Sequence, residues 1–264
     1  MAKTKANRGF FKSCIEDIAA AFMLLTRIPV YWDKISNEPP NLRRATWAYP
    51  LVGLFIGGLI SLIFLAAIYT GVSKEISILL ALSAAILTTG AFHEDGLADV
   101  ADGFGGGYGK EKKLEIMRDS RVGTYGSLAL IIAFAFKFFS LHALGNWDIV
   151  KVLIVAATVS RFMILVPSLV LSPARSNSLA TEAGKPTLAV TLCAATLSVG
   201  TSIILMDMSV FLITVTLAFF IVFIFCRLAY KQVGGFSGDI LGATQQLSEI
   251  AILVTLSTLW RASS

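Results

Sequence analysis

Glu94, Asp95, Asp99 and Asp102 crowd four carboxylates between an apolar run and the glycine-rich stretch 103–109. The spacing of Asp95, Asp99 and Asp102 is i, i+4 and i+7, which places the three within about 60° of one another on a helix. Like charges on one face repel and destabilise a bare helix. A divalent cation reverses that cost, and oxygen-only donors suit hard ions such as Mg²⁺ or Mn²⁺. Asp95, Asp99 and Asp102 are therefore the candidate metal ligands. Glu94 points about 100° away, so it is expected to support them or to face solvent. The competing reading is a solvated acidic loop in which Asp95 or Asp99 caps a helix.

A second constellation, Arg118-Asp119-Ser120-Arg121-Val122-Gly123-Thr124-Tyr125-Gly126, runs straight into an apolar segment. Arginines make bidentate contacts to phosphate oxygens, and glycines let backbone N–H groups approach an anion. Arg118 and Arg121 are candidate catalytic cations, while Asp119, Ser120, Gly123 and Thr124 are candidate substrate contacts. Thr124 is also placed to cap the helix that follows. An ordinary basic flank of a membrane segment explains the same residues.

Isolated charges inside apolar segments are costly and normally meet a partner or a ligand. Arg161 lies twelve residues into such a segment and is expected to pair with Glu249 or to reach a substrate phosphate. Lys137 either snorkels or faces a cavity. Asp239, Gly242, Gln246 and Glu249 share one face of the last apolar segment, with Gly238 just before it and Asp239 at the natural N-cap. That face is read as a wall of the site. Asp102, Asp239 and Glu249 are the candidate general bases, with His93 an alternative base or an orienting group.

These side chains need a scaffold, and composition says which kind. Of the 264 residues 56% are hydrophobic and 15% charged, with a mean hydropathy of +0.76. Soluble domains carry roughly 25% charged residues. About 20 apolar residues cross a bilayer core. Residues 47–69, 75–93, 126–145, 149–172, 187–206, 208–230 and 239–260 qualify or nearly so. The fold expected is an all-α polytopic integral membrane protein of about seven transmembrane helices. Residues 15–29 are short and carry Glu16, Asp17 and Arg27, so they form an N-terminal interfacial or re-entrant helix. The basic opening is not followed by a small-residue cleavage site, and no removable signal peptide is expected. One domain covers 1–264, and its single large polar insertion, 94–125, holds 7 of the 17 acids and 7 of the 21 glycines. Its centre, 103–109, is too glycine-rich to be a stable helix, and Lys110–Arg118 reads as a short helix.

With the amino terminus inside, 17 of the 22 Lys and Arg fall on one side of this topology, together with the acidic loop. Excess positive charge marks the cytoplasmic face. The net charge of +5 follows from that bias and requires no nucleic-acid partner. Cys14, Cys193 and Cys226 show no pairing or ligand spacing and read as small apolar side chains.

The residues support a membrane phosphotransferase before a transporter, which has little use for a large acidic loop, or a prenyltransferase, which usually carries two aspartate-rich helices. The chain resembles the cobalamin synthase (adenosylcobinamide-GDP ribazoletransferase) family. The resemblance rests on His93-x-Asp95-Gly96-Leu97-Ala98-Asp99-x-x-Asp102-Gly103, on residues 115–126, on Ser160-Arg161 and on Gly234-Gly235-x-x-Gly238-Asp239-x-Leu241-Gly242-Ala243. Thr26-Arg27-Ile28-Pro29 and 49–53 also fit. Glu94 stands where an apolar residue is common, and 172–185 follows the pattern loosely. The resemblance implies transfer of cobinamide phosphate from adenosylcobinamide-GDP to α-ribazole, or its 5′-phosphate, with release of GMP. It further implies Mg²⁺ as cofactor and the bacterial inner membrane as location. Association with other cobalamin-assembly enzymes, or with further copies of the chain, is compatible with the sequence. The alternative is a CDP-alcohol phosphotransferase-like enzyme with a lipid acceptor, whose aspartate spacing and following Ala-Arg are missing here.

Overall fold

The computed structural model describes residues 9–175 and 184–263. Their order is α1 (Phe10–Leu25), α2 (Leu42–Ala45), α3 (Tyr49–Tyr69), α4 (Lys74–Thr89), α5 (Phe92–Gly106), α6 (Lys110–Ile116), α7 (Thr124–His142), α8 (Asn146–Met163), α9 (Leu165–Val170), α10 (Leu188–Leu205), α11 (Met208–Val233) and α12 (Gly238–Ser263). Six helical stretches are long and apolar enough to cross a membrane: 42–69, 124–142, 146–170, 188–205, 208–233 and 238–260. Helices α4 and α5 pass the same test only as a pair, bent by 87°. The protein is an all-α polytopic membrane protein, as its composition requires.

Local chemistry sets the ends of these helices. Pro50 starts α3, where its missing N–H is no loss. Ser73 caps α4 through the Ile76 N–H, and Thr187 caps α10 through that of Val190. Pro167 cannot donate to the carbonyl four residues back, so the helix breaks between α8 and α9. On α1, Glu16 and Asp17 face inward, while Phe10, Phe11 and Ile15 stand exposed on the other side. Asp17 accepts from Arg44 Nε at 2.7 Å and Trp47 Nε1 at 3.0 Å, which anchors the amphipathic helix to α2 and the turn that leads into α3.

The expected span 75–93 ends early. Gly90 and Ala91 both adopt the left-handed region, with φ of 66° and 58°, and α5 leaves at 87° to α4. For an alanine that conformation costs about 1–2 kcal/mol. The turn lays α5 across the N-terminal ends of α7 and α12 instead of continuing through the bundle. Helix α5 also persists through the glycines to Gly106, against the expectation of a loop from 103. Packing overrides propensity there. Gly103 abuts Met117, and Gly105 lies against the Tyr125 ring, so the bare backbone turn is clamped by α6 and α7.

Behind α5 the core is conventional. Ile56 and Phe64 of α3, Ile149 and Met163 of α8, and Leu253 of α12 are fully buried. A β-carbon at Gly53 would strike the Ala157 carbonyl of α8, so α3 and α8 touch backbone to backbone.

Candidate active site

Helix α5 meets α12 at Gly96. A β-carbon there would lie 2.8 Å from the Asp239 carbonyl oxygen and 3.2 Å from the Gly242 Cα. Only a glycine admits this approach, and it sets Asp95 beside Asp239, both lining a cavity of about 210 Å³ that also receives His93. The face of α12 read from sequence is real: Asp239 and Gly242 meet α5, and Gln246 donates to Glu94 at 3.0 Å. Ser237, not Asp239, caps α12, accepting from the Ile240 N–H at 3.4 Å and donating to Asp239 Oδ2 at 3.1 Å.

Asp99 lies half-exposed on the same side as Asp95. Its carboxyl is pushed up to about 7, chiefly by burial, then by Asp95, Asp239 and Asp102. Among the described residues, Asp95 and Asp99 make no side-chain hydrogen bond or ion pair. The charge that the described residues set against Asp99 is that of Arg175. No three His, Cys, Asp or Glu side chains among those residues converge closely enough to hold an ion. The donors nonetheless fit a divalent cation in kind: hard oxygens, crowded and mutually repelling.

Asp102 differs from the expectation that it shares an ion with Asp95 and Asp99. One oxygen accepts from the Gly123 N–H at 2.7 Å and the other from the Gly126 N–H at 2.9 Å. It thus caps α7 from a neighbouring helix, a carboxylate at the positive end of the helix dipole. Thr124, expected to do this, is already inside the helix, and its predecessor Gly123 makes no side-chain cap. A β-carbon at Gly123 or Gly126 would collide with Asp102, which explains both glycines.

Glu249 and Arg161 are also committed elsewhere. Lys137 lies 2.6 Å from Glu249 and 3.9 Å from Glu94, and Arg161 lies 3.9 Å from Glu249. Gln245 adds bonds to Ser160 and Glu249. Two acids and two bases form this buried cluster with no net charge. Glu94 is therefore neither solvent-facing nor part of the Asp95 face, and Lys137 joins the interior instead of snorkelling. The cluster borders a larger apolar cavity of about 680 Å³ between α3, α4, α7, α8 and α12.

The basic side of the site comes from two places. Arg121 is exposed and bonded to Asp119, at 2.6 Å between Nη2 and Oδ2, and this holds the Asp119 carboxyl down at about 2. Arg175 escaped the sequence reading. A parallel backbone bridge between Pro173 and Phe236 ties its segment to the turn before α12, with Ala174 N–H donating to the Phe236 carbonyl at 2.8 Å. Burial depresses the Arg175 guanidinium and Arg118 adds to this, while Asp239 and Asp99 act the other way. Arg175 therefore stands within Coulomb reach of Arg118 on one side and of Asp99 and Asp239 on the other. The one signal for Arg175 in the sequence was an arginine just past an apolar segment, in a loop whose residues 176–183 lie outside those described. Gly238 lines the small cavity and opens α12, whereas Ser120 makes no side-chain hydrogen bond among the described residues.

The family model for cobalamin-5-phosphate synthase matches residues 17–257. The chain belongs to that family. It is 41% identical over 252 residues to an adenosylcobinamide-GDP ribazoletransferase of Bradyrhizobium diazoefficiens, covering 92% of this chain and 94% of the relative. A protein of the same name from Sinorhizobium medicae is 37% identical over 257 residues, covering 92% and 96%. One from Shewanella woodyi is 37% identical over 249 residues, covering 89% and 93%. No solved structure matches the chain.

Proposed function

We propose that this protein transfers the cobinamide-phosphate group of adenosylcobinamide-GDP to α-ribazole, or its 5′-phosphate, releasing GMP. The observation that carries the reading is the crowded pair Asp95 and Asp99, with Asp239 beside it and Arg175, itself near Arg118, in reach. Crowded carboxylates that make no ion pair among the described residues, with an arginine nearby, suit a magnesium-bound diphosphate. Asp95 and Asp99 would hold Mg²⁺, which supplies charge neutralisation on the phosphoryl oxygens when bound. Arg118 and Arg175 bind phosphate oxygens and stabilise charge gathering on the departing GMP. Arg121, paired with Asp119 at the surface, gathers the anionic substrate. A ribose hydroxyl of the acceptor attacks the phosphorus attached to cobinamide, and the bond from that phosphorus to the GMP oxygen breaks. Asp239 Oδ1 takes the hydroxyl proton. Asp102 and Glu249 are unsuited to that role, since amides hold the first and Lys137 the second.

Positive charge concentrated on the side of the acidic face supports a bacterial inner-membrane protein whose site and amino terminus face the cytoplasm. The test is GMP release by purified protein given adenosylcobinamide-GDP and α-ribazole, with and without Mg²⁺. Release that requires all three supports the reading; diphosphate release, or none, refutes it.

A further inference from the structure

Beside the acidic face lies the smaller cavity, about 210 Å³, between α1, α3, α5 and α12. That is below the roughly 300 Å³ at which sites for drug-sized ligands begin. It is too small for a corrinoid and suits one bicyclic aromatic ring. Leu24, Tyr49, Ile164 and Leu241 make its walls apolar, and Asp95 and Asp239 close the end next to the reacting groups. His93 is 1% exposed, and neither of its ring nitrogens has a hydrogen-bond partner. Buried polar groups are nearly always paired, so an orphaned imidazole lining a cavity calls for a ligand.

We propose that this cavity binds the benzimidazole base of the acceptor nucleoside, with the His93 N–H donating to its free ring nitrogen. The proposal rests on the transfer reaction above and names the seat of its acceptor. The base has one apolar edge that bears two methyl groups and one acceptor nitrogen, matching apolar walls with one unpartnered donor. Guanine would leave its exocyclic amine and carbonyl against leucine and isoleucine. A base seated here brings the attached ribose toward Asp239, where the hydroxyl proton must go. His93 is thus a positioning residue for the acceptor, not the general base.

The test is equilibrium binding of α-ribazole to the purified full chain, followed by the fluorescence of its base. The competitor is the indole nucleoside, which has carbon in place of the acceptor nitrogen. Wild type is expected to prefer α-ribazole at least tenfold. His93→Leu should lose that preference, and His93→Gln, which keeps a donor, should restore most of it. Affinity for adenosylcobinamide-GDP should stay within twofold throughout. Equal binding of the two nucleosides by wild type, or no binding of either, overturns the proposal without any variant. So does a preference that survives in His93→Leu. Turnover to GMP without discrimination removes this inference and leaves the reaction standing. Discrimination without GMP release does the reverse.

Discussion

Glu94 and Asp95 are neighbours in the chain, yet they belong to regions with opposite logic. Glu94 turns inward to a neutral cluster in which Lys137 and Gln245 bond Glu249, Arg161 stands near it, and Gln246 donates to one oxygen of Glu94. Asp95 turns toward Asp99 and Asp239, where its charge raises the proton affinity of Asp99, and among the described residues neither Asp95 nor Asp99 forms an ion pair. Residue type alone does not separate the two. What separates them is whether the fold supplies the counter-charge. A buried acid already neutralised is part of the scaffold, whereas an acid left unbalanced waits for something from solution.

The sharpest way to break this comparison is to neutralise one side at a time. Asp95→Asn or Asp99→Asn should lower the rate of GMP release by about two orders of magnitude or more, with the protein still inserted and monodisperse. Near-normal turnover in either would remove the functional half of the contrast. On the other side, Lys137→Met should cost about 3–5 kcal/mol by stranding Glu249. The double substitution Lys137→Met with Glu249→Leu should recover much of that loss. Thermal unfolding in detergent reads both. A double variant no more stable than the single one would mean that the cluster is not merely structural.

Smaller effects refine the picture. Asp102→Ala removes the carboxylate that caps α7 and should cost about 1–2 kcal/mol. Its effect on turnover should be well below that of Asp95→Asn, because its oxygens already serve Gly123 and Gly126. An equal loss of rate in the two variants would return Asp102 to the metal set. Ala91→Gly should raise stability by up to about 1 kcal/mol, relieving the left-handed alanine at the α4–α5 bend. Reduced stability would show that the bend is not strained.

Much of this is legible in the sequence alone. Apolar run lengths gave the spans, because a bilayer fixes how many residues a helix needs. The phase of Asp95 and Asp99, and the inward face of Asp239, Gly242, Gln246 and Glu249, follow from helical periodicity alone. Three things were hidden. The bend at Gly90–Ala91 depends on two successive left-handed residues, and alanine gives no warning of one. The persistence of α5 through Gly103–Gly106 depends on Met117 and Tyr125 packing against bare backbone. The partners of Asp102, Lys137 and Arg175 come from segments 21 to more than 100 residues away, as with Lys137 and Glu249, and spacing along one helix cannot show them. Periodicity tells which residues share a face; it does not tell what faces them.

The contrast between balanced and unbalanced acids is tested most directly by titrating Mn²⁺, observed by electron paramagnetic resonance, into wild type, Asp95→Asn, Asp99→Asn and Glu249→Gln. Binding should weaken at least tenfold in the two aspartate variants and stay within twofold of wild type in Glu249→Gln. Equal binding in all four proteins, or loss confined to Glu249→Gln, would contradict it.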